Sequence, residues 1–371
     1  MKFTCSTEIF AKAVSLSCTS VPTSGAGEMA SALLLNAGKE RVEISGVSMD
    51  TNTSVSISAN VSQEGSIMLP AHVFSDMIKR FSGDLIELET NEQYLLTMQS
   101  GRTKCEITGA DPREFPEAPT AVPENVIQIS EKVFGEMIKG TSFAASTNEQ
   151  RPTIMGCLLD ITDEVIRMVA IDGYRIAIVE YENSDKGSVG KVNIPATALR
   201  EWAKISDGSD GEIIIKIGQK NITIEKTDDD MEIKFTSRVI NGEFMDWEKF
   251  IPPKFDNEII LDKSDLVRAI ERVSTVLTAT AKAPIRITFS KTGAGFHCET
   301  TLGKASDDIE TKSAVPEQIM GFNNRFLYDA AKNADSDKIK LQFNGAQEAM
   351  LLTNPEPKEK NYKYMVLPVR L

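Results

Sequence analysis

IQISEKVFGEMI, residues 127–138, carries the pattern that decides the fold. Ile127 and Ile129 alternate as in a half-buried strand, Ser130 is a good helix N-cap, and Phe134, Met137 and Ile138 follow at helical spacing. The same grammar returns twice. Lys2 to Cys5 lead through Ser6 to Phe10, Ala13 and Val14, and Ile259 to Leu261 lead through Asp262 to Leu266, Ala269 and Ile270. The three caps stand 124 and 132 residues apart, and in each copy the first large anchor lies four residues past the cap. Such spacing marks a repeated supersecondary unit.

A second helix recurs in each copy. MLPAHVFSDMIKRF places Pro70 at its start with Phe74 four residues on, and VNIPATALREWAKI does the same with Pro195 and Leu199. Proline costs no hydrogen bond at a helix start. In the third copy, MGFNNRFLYDAAKNA puts Phe322 in the proline's place and Phe326 four residues later. The intervals from first cap to second helix start are 64, 65 and 60 residues. Alternating strand signals follow each second helix, among them Thr103 to Thr108, Glu212 to Ile217, Lys338 to Phe343 and a final strand from Tyr364 to Leu371. The expected architecture is therefore α+β, three repeated domains, each with two helices packed on antiparallel sheet. The proline-rich acidic stretches ADPREFPEAPTAVPEN and EFMDWEKFIPPKFDNE read as linkers, giving domains over 1–122, 123–254 and 255–371.

With 54 acidic and 41 basic residues, the 371-residue chain carries −13, which argues against a simple basic nucleic-acid binder. The helices depart from that balance. Over 7–16, 71–81, 131–139, 196–204, 263–273 and 323–332 they hold 12 Lys or Arg against 8 Asp or Glu. Arg200 with Lys204, and Arg268 with Arg272, stand at i,i+4 on one exposed face. For a single helix this is usually a solvated face. Shared by six helices of one repeated geometry, it suits a lining that holds a phosphate backbone without reading bases.

Chemistry of other kinds finds no support. The five cysteines are dispersed and lack C-x-x-C spacing, which suits reduced thiols in a cytoplasmic protein and implies neither disulfides nor zinc. His72 and His297 have no partner at ligand spacing, and no phosphate-binding, nucleophile-elbow or metalloprotease motif occurs. The glycines of Gly25-Ala26-Gly27 and Gly293-Ala294-Gly295 fall in loops, and Asp228 to Asp230 read as a charged turn. No apolar run reaches the length of about 18 residues that spans a bilayer. Neither a cofactor nor catalysis is expected.

MVAIDGYRIAIVE, residues 168–180, reads as a hairpin in which Asp172-Gly173 forms a two-residue type I′ turn and Ile171 pairs with Tyr174. Val169, Ile171, Tyr174 and Ile176 then share one face, with Ala170, Arg175 and Ala177 on the other. Alternation also places Met365, Leu367, Val369 and Leu371 on one side of the chain end.

IDGYRIA at 171–177, RPTIMG at 151–156, NGEFMDWEKFIP at 241–252 and the final YMVLPVRL make the whole chain similar to the bacterial β sliding clamps. These are the processivity subunits of replicative DNA polymerases. The resemblance implies a head-to-tail homodimeric ring that encircles double-stranded DNA. It also implies a pocket where the polymerase, the clamp loader and repair proteins insert a short hydrophobic peptide. By motif position the deep part comprises Ile154, Ile171, Gly173, Tyr174, Arg175, Ile176, Met245, Phe250, Met365 and Leu367. A shallower part involves Arg151, Asn323, Phe326, Pro368, Val369 and Arg370. DNA contact is assigned to Lys79, Arg80, Arg200, Lys204, Arg268 and Arg272 with Asn148 and Gln150. Ring closure is assigned to Cys105 and Ile107 against Val276 and Leu277.

Departures from the family pattern matter. Met245 stands where proline is common, Tyr174 where histidine is, and Cys105 where an aromatic is familiar. Several positions that are basic in relatives are not basic here: the region near Ser24, His72 with Val73, and Ala196 with Thr197. Two other classes stay open at this point. One is a tandem-repeat scaffold that binds proteins or glycans and never meets DNA; the other is a hydrolase with an unfamiliar site. Charge reversal at Arg200 and Arg268 separates the first from a clamp.

Overall fold

The computed structural model describes residues 1–22, 31–118, 122–183, 189–228, 230–312, 314–356 and 358–371. The region near Ser24, the Gly25-Ala26-Gly27 loop, residues 119–121 of the first linker and Asp229 of the acidic turn lie outside the described residues. Helices start close to where the caps and apolar spacing place them: α1 (Thr7–Ser17), α2 (Ala71–Ile78), α3 (Glu131–Thr141), α4 (Ala196–Ile205), α5 (Lys263–Val273) and α6 (Asn324–Asn333). α2 ends three residues short of the expected 81, so Lys79 and Arg80 lie just beyond it. Ser6 Oγ accepts from the Ile9 N–H at 3.4 Å, satisfying one of the orphan donors at the start of α1. α6 starts one residue later than the repeat suggests. Asn323, not Phe322, is its cap, with Oδ1 accepting from the N–H groups of Arg325 at 3.0 Å and Phe326 at 3.4 Å.

The chain divides into two compact units, Met1–Gly135 with Thr197–Val239, and Glu136–Ala196 with Ile240–Leu371. The division runs through the middle repeat. In the first unit an antiparallel five-stranded sheet runs Asn60–Gln63, Lys2–Ser6, Leu85–Thr90, Leu95–Ser100, Thr103–Thr108. An eight-stranded sheet joins strands of two repeats where Met231–Arg238 pairs with Thr51–Ser58, Phe235 opposite Thr53. α1 seats against this sheet so closely that a Cβ on Gly46 would meet the Ser17 carbonyl oxygen at 2.0 Å, which is why glycine stands there. Phe3, Phe10 and Phe74 pack edge to face beneath the helices, at 5.9 and 6.1 Å between centroids.

The second unit repeats the scheme. Its eight-stranded sheet runs Gly190–Pro195, Gly156–Ile161, Val165–Ile171, Arg175–Glu182, Lys360–Val366, Met350–Thr353, Lys338–Phe343, Asn257–Asp262. A four-stranded sheet runs Gly303–Glu310, Gly293–Thr300, Ile285–Ser290, Gln318–Phe322. Phe289 and Phe343 stack at 4.2 Å and tie the two sheets together. The architecture is the expected one, α+β with helices on antiparallel sheet. What sequence periodicity does not anticipate is that strands of neighbouring repeats hydrogen-bond into common sheets.

One expected strand is shorter at its end. The last strand stops at Val366 instead of reaching Leu371. Beyond it the Leu367 N–H donates to the Tyr174 carbonyl at 2.9 Å and the Val369 N–H to the Gly321 carbonyl at 2.8 Å. Pro368 between them has no N–H with which to continue a ladder.

Candidate functional site

The site is built on the hairpin and the C-terminal strand, which are direct neighbours in one sheet: Ile176 lies opposite Met365 and Arg175 opposite Val366. Because side chains alternate, the residues facing one side of these strands converge. Ile154, Leu158, Val169, Ile171, Ile176, Ile178, Trp247, Ala349, Leu351 and Met365 form one buried apolar cluster, with Phe244, Met245, Ile251 and Phe255 packed against it. Of the nominated deep residues, Ile154, Ile171, Ile176 and Met365 belong to its core and Met245 to its edge.

The turn differs from the expectation. Ile171 pairs with Ile176, not with Tyr174, and only Gly173 takes a positive φ, of 95°. The cause is the Asp172 side chain. Its Oδ1 accepts from the Tyr174 N–H at 2.9 Å and the Arg175 N–H at 3.0 Å, an Asx turn that moves the bend one residue along the chain. Tyr174 thereby occupies the bend itself and is 64% exposed. The Arg151 guanidinium lies beside Gly173, 3.6 Å from where a Cβ would be.

Arg175 faces away from the cluster, as alternation requires, yet is 6% exposed. Its Nε donates to Asp172 Oδ2 at 2.9 Å, one terminal nitrogen to Asp329 Oδ2 at 2.7 Å and the other to the Phe143 carbonyl at 2.6 Å. The guanidinium lies over the Phe326 ring at 4.5 Å, and Phe326 stacks on Tyr174 at 6.1 Å with 23° between planes. A three-layer stack of Tyr174, Phe326 and Arg175 thus joins the hairpin bend to α6. Arg175 braces this wall from behind.

Phe250 is at the surface, 49% exposed and outside the cluster, where it can line a pocket but not floor it. Trp247 fills the space instead. Its outer face is covered by Arg167, whose guanidinium carbon is 5.1 Å from the ring centroid while Nε donates to Glu180 Oε1 at 2.8 Å. The stretch 243–258 is therefore a folded wall and not a plain linker. Residue types alone passed over Leu158, Ile178, Trp247, Ala349 and Leu351. Cross-strand register would have found three of them, since Leu158 and Ile178 lie opposite Val169 and Leu351 opposite Met365.

The shallower residues converge on an open groove of about 910 Å³, where Asn323, Phe326, Val369 and Arg370 meet the loop 274–284. Leu277, nominated for ring closure, lines its far end, whereas Arg151 and Pro368 are not in its lining. Lys79, Arg80, Arg200, Lys204, Arg268 and Arg272 are all exposed. Arg272 is committed to Asp307, Nε to Oδ2 at 2.6 Å, and Arg268 sits in a cleft with Asp262, Asp265 and Glu271. Asn148 and Gln150 are exposed on a loop, the former accepting from the Gln150 N–H at 3.0 Å. Cys105 and Ile107 lie on Thr103–Thr108, an edge strand. Val276 accepts at its carbonyl from Thr300 Oγ1 at 2.9 Å, next to the hairpin that leads into the edge strand Gly303–Glu310. Among the described residues no group of three or more His, Cys, Asp or Glu could hold a metal ion.

Comparison with known proteins agrees along the whole chain. Family models match residues 1–119 as the N-terminal domain, 128–246 as the central domain and 248–370 as the C-terminal domain of the DNA polymerase III beta subunit. A beta sliding clamp of Staphylococcus epidermidis is 27% identical over 313 residues, covering 84% of this chain and 81% of that protein. One from Staphylococcus aureus is 26% identical over 314 residues, covering 84% and 81%. Among solved structures, the DNA polymerase sliding clamp of Bacillus subtilis superposes with a TM-score of 0.92 at 24% identity, covering 100% of this chain and 99% of that one. A sliding clamp of Pseudomonas aeruginosa, bound to griselimycin, gives 0.91 at 23% identity with both chains covered fully, 100% each. The chain belongs to the DNA polymerase III beta subunit family, the sliding clamps.

Proposed function

We propose that the protein is a sliding clamp: two copies close head to tail around duplex DNA without reading its sequence and tether the replicative polymerase, the clamp loader and repair proteins to it. The observation that carries this is the succession of N-terminal, central and C-terminal clamp domains along one chain. It favours a clamp over a tandem-repeat scaffold that never meets DNA. Processivity then arises from effective concentration, with no chemistry by the clamp itself. The domains divide at 122/123 and 254/255, and the working compartment is the cytoplasm; no described helix is long and apolar enough to cross a membrane.

The partner peptide sits on the hairpin and C-terminal strand. An apolar floor around Ile171, Ile176 and Met365, an exposed aromatic at the rim and a contiguous groove are the features of a hydrophobic peptide site. Ring closure joins the edge strands Thr103–Thr108 and Gly303–Glu310 of two copies. Free strand edges invite such pairing. DNA is held by the exposed Lys79, Arg80, Arg200, Lys204 and Arg268, with Arg272 contributing less because Asp307 already neutralises it. The test is retention on nicked circular DNA before and after linearisation. Loss on linearisation is expected, and equal retention on both forms would refute encirclement.

A further inference from the structure

We propose that the groove between the loop 274–284 and the start of α6 docks an acidic polypeptide segment, continuous with the hydrophobic peptide on the hairpin wall. This rests on the peptide-site reading above. The groove holds about 910 Å³ and its charged lining is wholly cationic: Lys282, Arg325 and Arg370, with no Asp or Glu. In a chain with 54 acidic and 41 basic residues such a lining runs against the composition. Among the described residues no salt bridge engages Lys282 or Arg370. Among the described residues the Arg325 side chain pairs only with Asp329 Oδ2, at 3.9 Å, and that carboxylate is already held by Arg175 at 2.7 Å. Three like charges gathered in one concavity repel one another until an anion enters.

The apolar part of the lining decides which anion. Phe326, Pro284 and Val369 offer surface to side chains, which a phosphate backbone would leave unused. Phe326 is also the ring stacked on Tyr174, so the groove begins where the peptide wall ends. A partner whose motif carries acidic residues on one flank would fill both.

The test uses fluorescein-labelled peptides with a common Leu-Phe core, flanked on the N-terminal or the C-terminal side by three Glu or three Gln. On the wild-type protein at low salt, the Glu peptide of one flank should bind about tenfold more tightly than its Gln counterpart, as expected of a few exposed charge pairs. In the Lys282→Glu, Arg325→Glu double variant that ratio should fall to about one. Equal affinities on both flanks of the wild type, or a ratio that persists in the variant, would overturn the proposal. So would a variant that keeps the ratio but loses circular DNA, because the groove would then belong to DNA. Failure of the peptide site itself has a separate readout: Gln-peptide binding that survives Tyr174→Ala removes the seat from which the acidic segment is said to extend.

Discussion

Arg175 is a charged side chain with 6% exposure, and its cost of burial is met by two carboxylates, one carbonyl and two aromatic faces. Removing one partner of such a group leaves the others desolvated and unpaired. Arg175→Ala should therefore destabilise the protein by about 3 kcal/mol, read as a lowered urea midpoint at unchanged slope. Arg175→Lys should recover only part of this, because an ammonium cannot serve Asp172, Asp329 and Phe143 in one plane. A midpoint equal to wild type in the alanine variant would mean that the stack does not depend on the guanidinium. Tyr174 behaves oppositely. At 64% exposure its truncation should shift stability by no more than about 0.5 kcal/mol. It should nonetheless weaken a clamp-motif peptide by about 2 kcal/mol, the range of an interfacial aromatic hot spot. Calorimetric titration of the two variants separates brace from contact, and unchanged peptide affinity in Tyr174→Ala would remove the bend from the site.

At the scale of elements, the start of α3 is fastened by a buried lysine. Lys226 Nζ lies 2.9 Å from Glu131 Oε2 and 2.8 Å from Asp207 Oδ1, tying the helix to the strand Asn221–Thr227 and to the loop after α4. The hydrogen bond from Lys226, helped by the Ser209 N–H, holds the Asp207 carboxyl down at about 2 from its ordinary 3.8. A depressed folded-state value adds stability that is complete above the unfolded value and disappears as pH falls. Asp207→Asn should accordingly flatten the acid-side loss of stability between pH 3.8 and about 2, seen in urea midpoints across that interval. An unaltered pH profile would show that Asp207 gains nothing from the lysine. The helix start at Ser6 was legible because caps and apolar spacing are local properties, whereas α6 is capped one residue later than the repeat suggests. The bend at Tyr174 was not, since an Asx turn competes with the two-residue turn that Asp-Gly suggests. Nor was Trp247, whose burial depends on strands far along the chain. The pairing of Ile176 with Met365 joins residues from separate repeats, and no local period encodes it.

For the whole molecule, the question is what an acidic chain gains from closing on itself. At −13 per copy, two copies repel at long range, so the seams must supply enough short-range burial to outweigh this. In the ring proposed above, Cys105 limits that burial. It sits half-buried on the strand Thr103–Thr108, whose only ladder among the described residues is with Leu95–Ser100, leaving the other edge open. An aromatic at this position would cover more of the opposing copy, and about 40 Å² of extra apolar contact is worth about 1 kcal/mol per seam. A head-to-tail ring has two such seams, so Cys105→Phe should tighten dimerisation by about 2 kcal/mol, a factor of about 30 in Kd. Cys105 shares its face with the buried Met98 opposite it, so the larger ring extends the monomer's core face outward at an open edge. A dilution series by sedimentation equilibrium should then show the variant holding together at concentrations where wild type separates. Added salt should narrow the gap from the wild-type side by screening the repulsion between copies. If Cys105→Phe dissociates at the same concentration as wild type while remaining folded, this strand does not form the seam, and ring closure must use another edge.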